Sequence, residues 1–171
     1  MKKYLLLLLI VVTGVVVYFI QNPIQKMQIT STAFAEGAEI PDVYSCYGDN
    51  ISPPLDIKNV PEEAKSLALI VQDVDSSYGL WVNWLKWNID PGTIHLNQGV
   101  EPNGISGKGS RGLTMYDGPC HADGTHRIRF KLYALDKELS LPEESSWQDL
   151  EAAMKGSVIK QTELVGVYTP K

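Results

Sequence analysis

The chain has 171 residues, of which 44% are hydrophobic and 20% charged, and its formal net charge is −5. This composition excludes a collagen-like or wholly disordered chain, and the length suits one domain. Residues 1–26 hold three of the 15 basic side chains and no acid, which leaves 12 basic against 20 acidic side chains, or −8, in residues 27–171. So acidic a body argues against nucleic-acid binding, which depends on Lys and Arg contacts with phosphate.

An uncharged apolar run covers residues 4–20, directly after Lys2 and Lys3. As a helix it would measure roughly 26 Å, near the lower limit for crossing a membrane. The positive-inside rule places the N-terminus inside and the body outside. We therefore predict a single-pass anchor of the cytoplasmic membrane within residues 1–26, and an extracytoplasmic domain over residues 27–171.

The alternative is a cleaved signal peptide and a secreted protein. Cleavage needs small residues shortly after the apolar run. Residues 21–26 offer none, and the matching Ala33-Phe34-Ala35 lies well downstream. The retained anchor is therefore favoured.

Cys46 and Cys120 are the two cysteines of the chain. An extracytoplasmic position would expose them to oxidising conditions, which favours a disulfide. Two buried free thiols are the alternative. The pair lacks the repeated close spacing of a zinc framework.

The body is predicted to consist mainly of strands separated by turns. Strands are predicted over Lys65–Asp73, Trp81–Ile89, Arg127–Leu135 and Glu163–Tyr168, and the first is apolar on both faces. Residues 97–112 form a Gly-rich loop of a length that is usually functional or mobile. One helix, capped by Ser145 or Ser146, is predicted over Trp147–Lys160. These elements indicate a β-sandwich or distorted barrel with an appended helix.

Three titratable side chains stand at the ends of predicted strands. Asp73 and Asp75 follow the first strand, and residues at i and i+2 share a face if the strand continues. His126 directly precedes the strand at Arg127. Such residues are most often structural, but together they suit acid–base or metal chemistry.

Four segments of the body form an ordered set. They are Tyr44–Leu55, Ala68–Asp75 with Gly79–Trp84, Gly118–Cys120 with Gly124–Arg127, and Glu163–Gly166. The set resembles the phosphatidylethanolamine-binding protein (PEBP) family, in its bacterial and archaeal, Raf-kinase-inhibitor-like branch, over roughly residues 27–169. Ile29–Gly37 resembles the family's first strand, so cleavage after Ala35 would truncate the domain.

The resemblance implies a β-sandwich with a small pocket for phosphate-like anions. The residues that match the family's pocket are Asp73, Asp75, Gly118 and His126, whereas Asn83 replaces the usual histidine and Ile128 the usual tyrosine. Asn83 never carries positive charge, and the Ile128 side chain donates nothing. The donors that compensate the anion would have to come from protonated His126, from backbone N–H groups near Gly118 or from a protonated Asp. We therefore expect a weakened or altered anion site.

The leading interpretation is a non-enzymatic binding module without a cofactor, tethered through residues 4–20, whose pocket takes an anionic small molecule or lipid headgroup. A second is a protein-interaction inhibitor of a protease or kinase, with residues 97–112 as its contact surface. A third is a metal-dependent enzyme that uses Asp73, Asp75 and His126. Similarity of fold alone decides none of these.

Overall fold

The computed structural model describes residues 25–122 and 124–171, which form two antiparallel β-sheets. The strand order is β1-β2-β5 in the smaller sheet and β6-β4-β3-β7-β8 in the larger. The elements are β1 (Gln28–Thr30), a 3₁₀ turn (Asp42–Tyr44), β2 (Leu55–Lys58), β3 (Ser66–Asp73), β4 (Trp81–Ile89), β5 (His95–Leu96), β6 (Ile105–Ser106), β7 (His126–Leu135), α1 (Trp147–Met154) and β8 (Val158–Tyr168). The predicted mainly β domain with a helix near its C-terminal end is confirmed.

Strand β3 lies at the centre of the larger sheet, and all of its residues are buried. Leu67, Leu69 and Val71 belong to the core between the two sheets. Ala68 and Ile70 belong to a second cluster on the opposite face, which α1 covers. Successive strand residues point to opposite faces, so the uninterrupted apolar sequence of β3 fits a strand covered on both sides.

Helix α1 is shorter than the predicted helix. Its N-cap is Ser146, which forms a capping box with Asp149, as the sequence led us to expect for one of the two serines. The helix ends at Met154, and Gly156 takes a positive φ of 78°, a conformation that favours glycine and ends helices. The chain then enters β8 at Val158, earlier than the predicted last strand, because this segment pairs with β7.

The loop over residues 97–112 is attached to the larger sheet. Its short strand β6 pairs with β4. The Glu101 carboxylate accepts hydrogen bonds from Trp84 Nε1 and from the Tyr116 backbone N–H, both at 3.2 Å. Deleting this loop would therefore remove packing from the sheet, so it does not form a detachable contact arm.

The predicted membrane helix over residues 4–20 lies outside the described residues. Within residues 25–122 and 124–171, no helix combines the length and apolarity needed to cross a membrane. Strand β1 and the buried side chain of Phe34 lie upstream of Ala35. Cleavage after Ala35 would therefore remove part of the core.

The pairing register of the larger sheet determines which candidate site residues lie next to one another. Asp73, the last residue of β3, pairs with Ile128 of β7. His126, the first residue of β7, pairs with Tyr168 of β8. Asp73, Ile128 and His126 share a face because the side-chain period of a strand is two. Ile128 is fully buried in the core, so Asp73 and His126 meet where the core ends.

Candidate functional site

A cavity of about 350 Å³ opens at this end of the larger sheet. The turn after β3, the start of β4, the 97–112 loop and the segment before β7 each contribute to its wall. The lining residues are Asp73, Asp75, Ser76, Ser77, Tyr78, Trp81, Asn83, Arg111, Cys120, His121, Ala122 and His126. Four of the six predicted ligand-binding residues are among them, whereas Gly118 and Ile128 are not.

The Asp73 carboxylate and the His126 imidazole form the centre of the site. Asp73 Oδ2 lies 2.7 Å from His126 Nδ1, and their side chains are only 6% and 14% exposed. Asp73 Oδ1 accepts a hydrogen bond of 3.0 Å from the Asp75 backbone N–H. Both carboxylate oxygens therefore have a partner, and the Asp-x-Asp turn holds Asp73 in place through its own backbone.

Asp75 is engaged by Arg127. The guanidinium contacts the carboxylate at 2.6 and 2.8 Å, and the Arg127 backbone N–H donates to it at 2.9 Å. These hydrogen bonds lower the pKa of Asp75 to about 2. Asp75 therefore compensates Arg127 at the pocket rim and does not join Asp73 and His126 as a group.

His121 occupies the site although the sequence did not place it there. Its ring stacks on that of His126, with centroids 3.6 Å apart and planes inclined by 10°. Its Nε2 lies 3.1 Å from the main-chain oxygen of Tyr168, and its Nδ1 lies 3.9 Å from Asp73 Oδ2. Burial, together with the neighbouring His126, lowers the pKa of His121, which favours the neutral ring.

The disulfide positions His121. The predicted pairing of Cys46 with Cys120 is confirmed, with Cα atoms 5.3 Å apart. The Tyr47 hydroxyl donates to the main-chain oxygen of His121 at 2.6 Å. These two links connect the 44–47 segment to the segment that contains His121. The two segments are far apart in the sequence, so sequence periodicity could not predict their contact.

Three residues that the resemblance assigned to the pocket have other contacts. The Asn83 amide donates to the main-chain oxygen of Asp117 at 2.7 Å. The buried Asn83 Oδ1 has no hydrogen-bond partner among the described residues. The Gly118 N–H, which was expected to donate to a ligand, donates to Asn50 Oδ1 at 2.7 Å. Ile128 is a core residue.

Arg111 brings a full positive charge to the cavity wall. Its Nε lies 3.3 Å from Asp117 Oδ2, and its side chain is 37% exposed. The sequence analysis identified the 97–112 loop as a functional candidate but not this arginine. Arg111 lies in a long irregular loop, and sequence periodicity does not predict which strand end such a loop residue will approach.

Asp73, His121 and His126 together could hold a metal ion. One ligand atom from each lies within 4.8 Å of the others. The hypothetical metal-dependent enzyme used Asp75 as its third group. In the structure His121 lies beside Asp73 and His126 instead, and Asp75 is paired with Arg127.

Residues 30–169 match the family model described as phosphatidylethanolamine-binding protein. The chain is 43% identical over 147 residues to a UPF0098 protein of Chlamydia pneumoniae, covering 83% of this chain and 98% of the relative. It is 41% identical over 148 residues to a UPF0098 protein of Methanothermobacter thermautotrophicus, with the same two coverages. The chain therefore belongs to the PEBP family, as the resemblance indicated.

Two solved structures share the fold. A crystal structure described as a PEBP homologue from Chlamydia trachomatis has a TM-score of 0.83 and 42% identity, covering 85% of this chain and 99% of that chain. E. coli YbcL, described as a member of the mammalian PEBP family, has a TM-score of 0.79 and 26% identity, covering 86% and 100%. The chain is thus a bacterial or archaeal PEBP-type protein, and the description of its family is that of a binding protein.

Proposed function

We propose that this protein is a binding module whose cavity takes a phosphate-like anionic group. The observation that carries the proposal is Arg111, a partly exposed guanidinium in the wall of the cavity that also contains His126. Arginine binds phosphate oxygens through several N–H groups of fixed geometry. Its remaining N–H groups supply charged donors in a pocket where Asn83 and Ile128 replace the usual histidine and tyrosine.

The acidic side chains near the cavity are already compensated. Asp75 is paired with Arg127, and Asp117 is paired with Arg111. Asp73 accepts hydrogen bonds through both oxygens. An incoming anion therefore meets less repulsion than the acidic composition of the body indicates. Arg111 contacts Asp117 through Nε and Nη1, and a guanidinium has five N–H donors, so others are available to a ligand.

Asn83 adds a preference for a ligand that also donates hydrogen bonds. Its Oδ1 is buried in the cavity wall without a partner among the described residues, and a buried acceptor left unsatisfied costs about 1–3 kcal/mol. The hydroxyl of a protonated phosphate or the ammonium of phosphoethanolamine would satisfy it. Comparing the affinities for inorganic phosphate and for phosphoethanolamine shows whether the phosphate hydroxyl or the ammonium is the preferred donor.

A membrane tether through residues 4–20 is part of the proposal and rests on the sequence alone. A tethered pocket meets headgroups and envelope molecules at a raised effective concentration. We expect the full chain to remain in the membrane fraction after an alkaline carbonate wash, and its removal by that wash would contradict the tether.

Arg111→Gln is expected to weaken the binding of phosphoethanolamine by about tenfold or more, because a charge-assisted hydrogen bond contributes about 1.5–3 kcal/mol. Calorimetry with the full chain measures the affinity. Arg129→Gln is a matched control, since Arg129 is 36% exposed and pairs with Glu163 away from this cavity. Equal losses in both variants, or none in Arg111→Gln, would overturn the assignment.

A further inference from the structure

We propose that Asp73, His121 and His126 form a binding site for a divalent transition-metal ion of the zinc type. Their ligand atoms lie within 4.8 Å of one another, and all three side chains are at most 14% exposed. Two imidazoles and one carboxylate are a ligand set that proteins use for zinc and related metals. The inference is independent of anion binding, since metal binding is measured without any anion ligand.

The hydrogen bonding of His121 prepares it as a ligand. Its Nε2 lies 3.1 Å from the Tyr168 main-chain oxygen, which can only accept, so the ring proton resides on Nε2. The lone pair is then on Nδ1, which is buried and has no hydrogen-bond partner within the described chain. A histidine ligand typically donates its other ring N–H to a carbonyl or carboxylate in this way.

Both rings lie next to the Asp73 carboxylate. They are nearly parallel, with centroids 3.6 Å apart, and Asp73 Oδ2 lies 2.7 Å from His126 Nδ1 and 3.9 Å from His121 Nδ1. Without an ion, the second contact is too long for a hydrogen bond. A metal ion bound here would take the lone pair of His121 Nδ1, and it would displace to solvent the proton that joins His126 Nδ1 to Asp73 Oδ2, with the rings turning so that both nitrogens face the ion.

The charge and donor types select the class of metal. The site has one carboxylate, and the neighbouring Asp75 and Asp117 are engaged by Arg127 and Arg111. Mg²⁺ and Ca²⁺ prefer oxygen ligands, whereas imidazole nitrogen suits Zn²⁺, Co²⁺, Ni²⁺ and Cu²⁺. Three protein ligands leave a coordination position open toward the cavity, as in sites that bind a water or another small ligand.

The test is a titration of the metal-stripped full chain with ZnCl₂, in a buffer free of phosphate. We expect one Zn²⁺ per chain, no competition by Mg²⁺, and visible absorption bands of tetrahedral Co²⁺ when cobalt replaces zinc. His121→Gln keeps a side chain of similar length and is expected to weaken Zn²⁺ binding by about tenfold or more. Its thermal unfolding without metal shows whether the variant is folded.

His95→Gln is the matched control, because His95 pairs with Asp56 at 2.7 Å but belongs to no such group of three within residues 25–122 and 124–171. The chain has three histidines, so these variants separate the site from incidental surface binding. At equal Zn²⁺ concentrations, the melting temperature is expected to rise equally in the original chain and in His95→Gln, and less in His121→Gln. Absence of stoichiometric Zn²⁺ binding, or equal affinities in His121→Gln and His95→Gln, would overturn the proposal.

Discussion

Replacing Cys46 and Cys120 together by alanine is expected to lower the free energy of unfolding by about 4 kcal/mol, because the disulfide closes a loop with a sequence separation of 74 and so restricts the unfolded chain. The effect also reaches the site. Cys120 directly precedes His121, so the variant loosens the attachment of that ring to Asp73 and His126.

Urea unfolding of the double variant and of the original chain, with and without reductant, measures this contribution. The double alanine variant leaves no free thiol, so the reductant is its internal control: it should shift the midpoint of the original chain toward that of the variant and leave the variant unchanged. A difference below about 1 kcal/mol would show that packing holds the two segments together without the bond.

Gly118→Ala is expected to destabilise the fold by about 3 kcal/mol or more, the upper range for overpacking. A Cβ at this position would lie 2.1 Å from the main-chain oxygen of Tyr44 and 2.9 Å from Ser45 Cα. Both are backbone atoms, so no side chain can move aside. The same Tyr44 oxygen accepts the Tyr116 hydroxyl at 2.8 Å, and separating the segments would break that buried hydrogen bond too.

Gly92→Ala is the matched control, because a Cβ there meets only the flexible side chain of Asp90, at 3.2 Å. Its effect should stay within about 0.5 kcal/mol, as for most surface substitutions. If Gly118→Ala unfolded at the same urea concentration as Gly92→Ala, the close approach of the 44–45 and 118 backbones would not be required for the stability of the fold. The structure thus gives Gly118 a role in the contact between these segments, and its N–H donates to Asn50 Oδ1.

The sequence predicts the strands that form the centre of the fold. Trp81–Ile89 has the predicted bounds, and the predicted Arg127–Leu135 strand begins only one position earlier, at His126. Continuous apolar runs and period-two alternation are strong local signals for such strands. The end of α1 was misplaced because Ile159 fits a helical stripe, whereas pairing of β8 with β7 makes that residue part of a strand.

Only the site residues that stand at strand ends could be predicted from the sequence. Asp73 and His126 stand at the ends of neighbouring strands, and the register joins them. His121 and Arg111 come from irregular segments, which reach the cavity through the Cys46–Cys120 bond and the attachment of the 97–112 loop. Both depend on contacts between residues distant in sequence, for which a single sequence has no periodic signal.

A body of formal charge −8 that lacks the usual histidine and tyrosine needs other groups to hold an anion. The structure shows local compensation of the acidic groups by Arg127 and Arg111. Net charge describes the field far from the protein, whereas binding at contact depends on the nearest unpaired donors and acceptors. At this cavity those groups are the Arg111 N–H donors that Asp117 does not engage and the buried Asn83 Oδ1.

A crystal structure of the full chain, grown with phosphoethanolamine and without other phosphate or sulfate, would show directly whether the cavity binds an anion. We expect the phosphate group within hydrogen-bonding distance of the Arg111 guanidinium, inside the cavity that contains Asp73 and His126, with the ammonium donating to Asn83 Oδ1. A cavity without the ligand at saturating concentration, or a phosphate group bound only elsewhere, would contradict it.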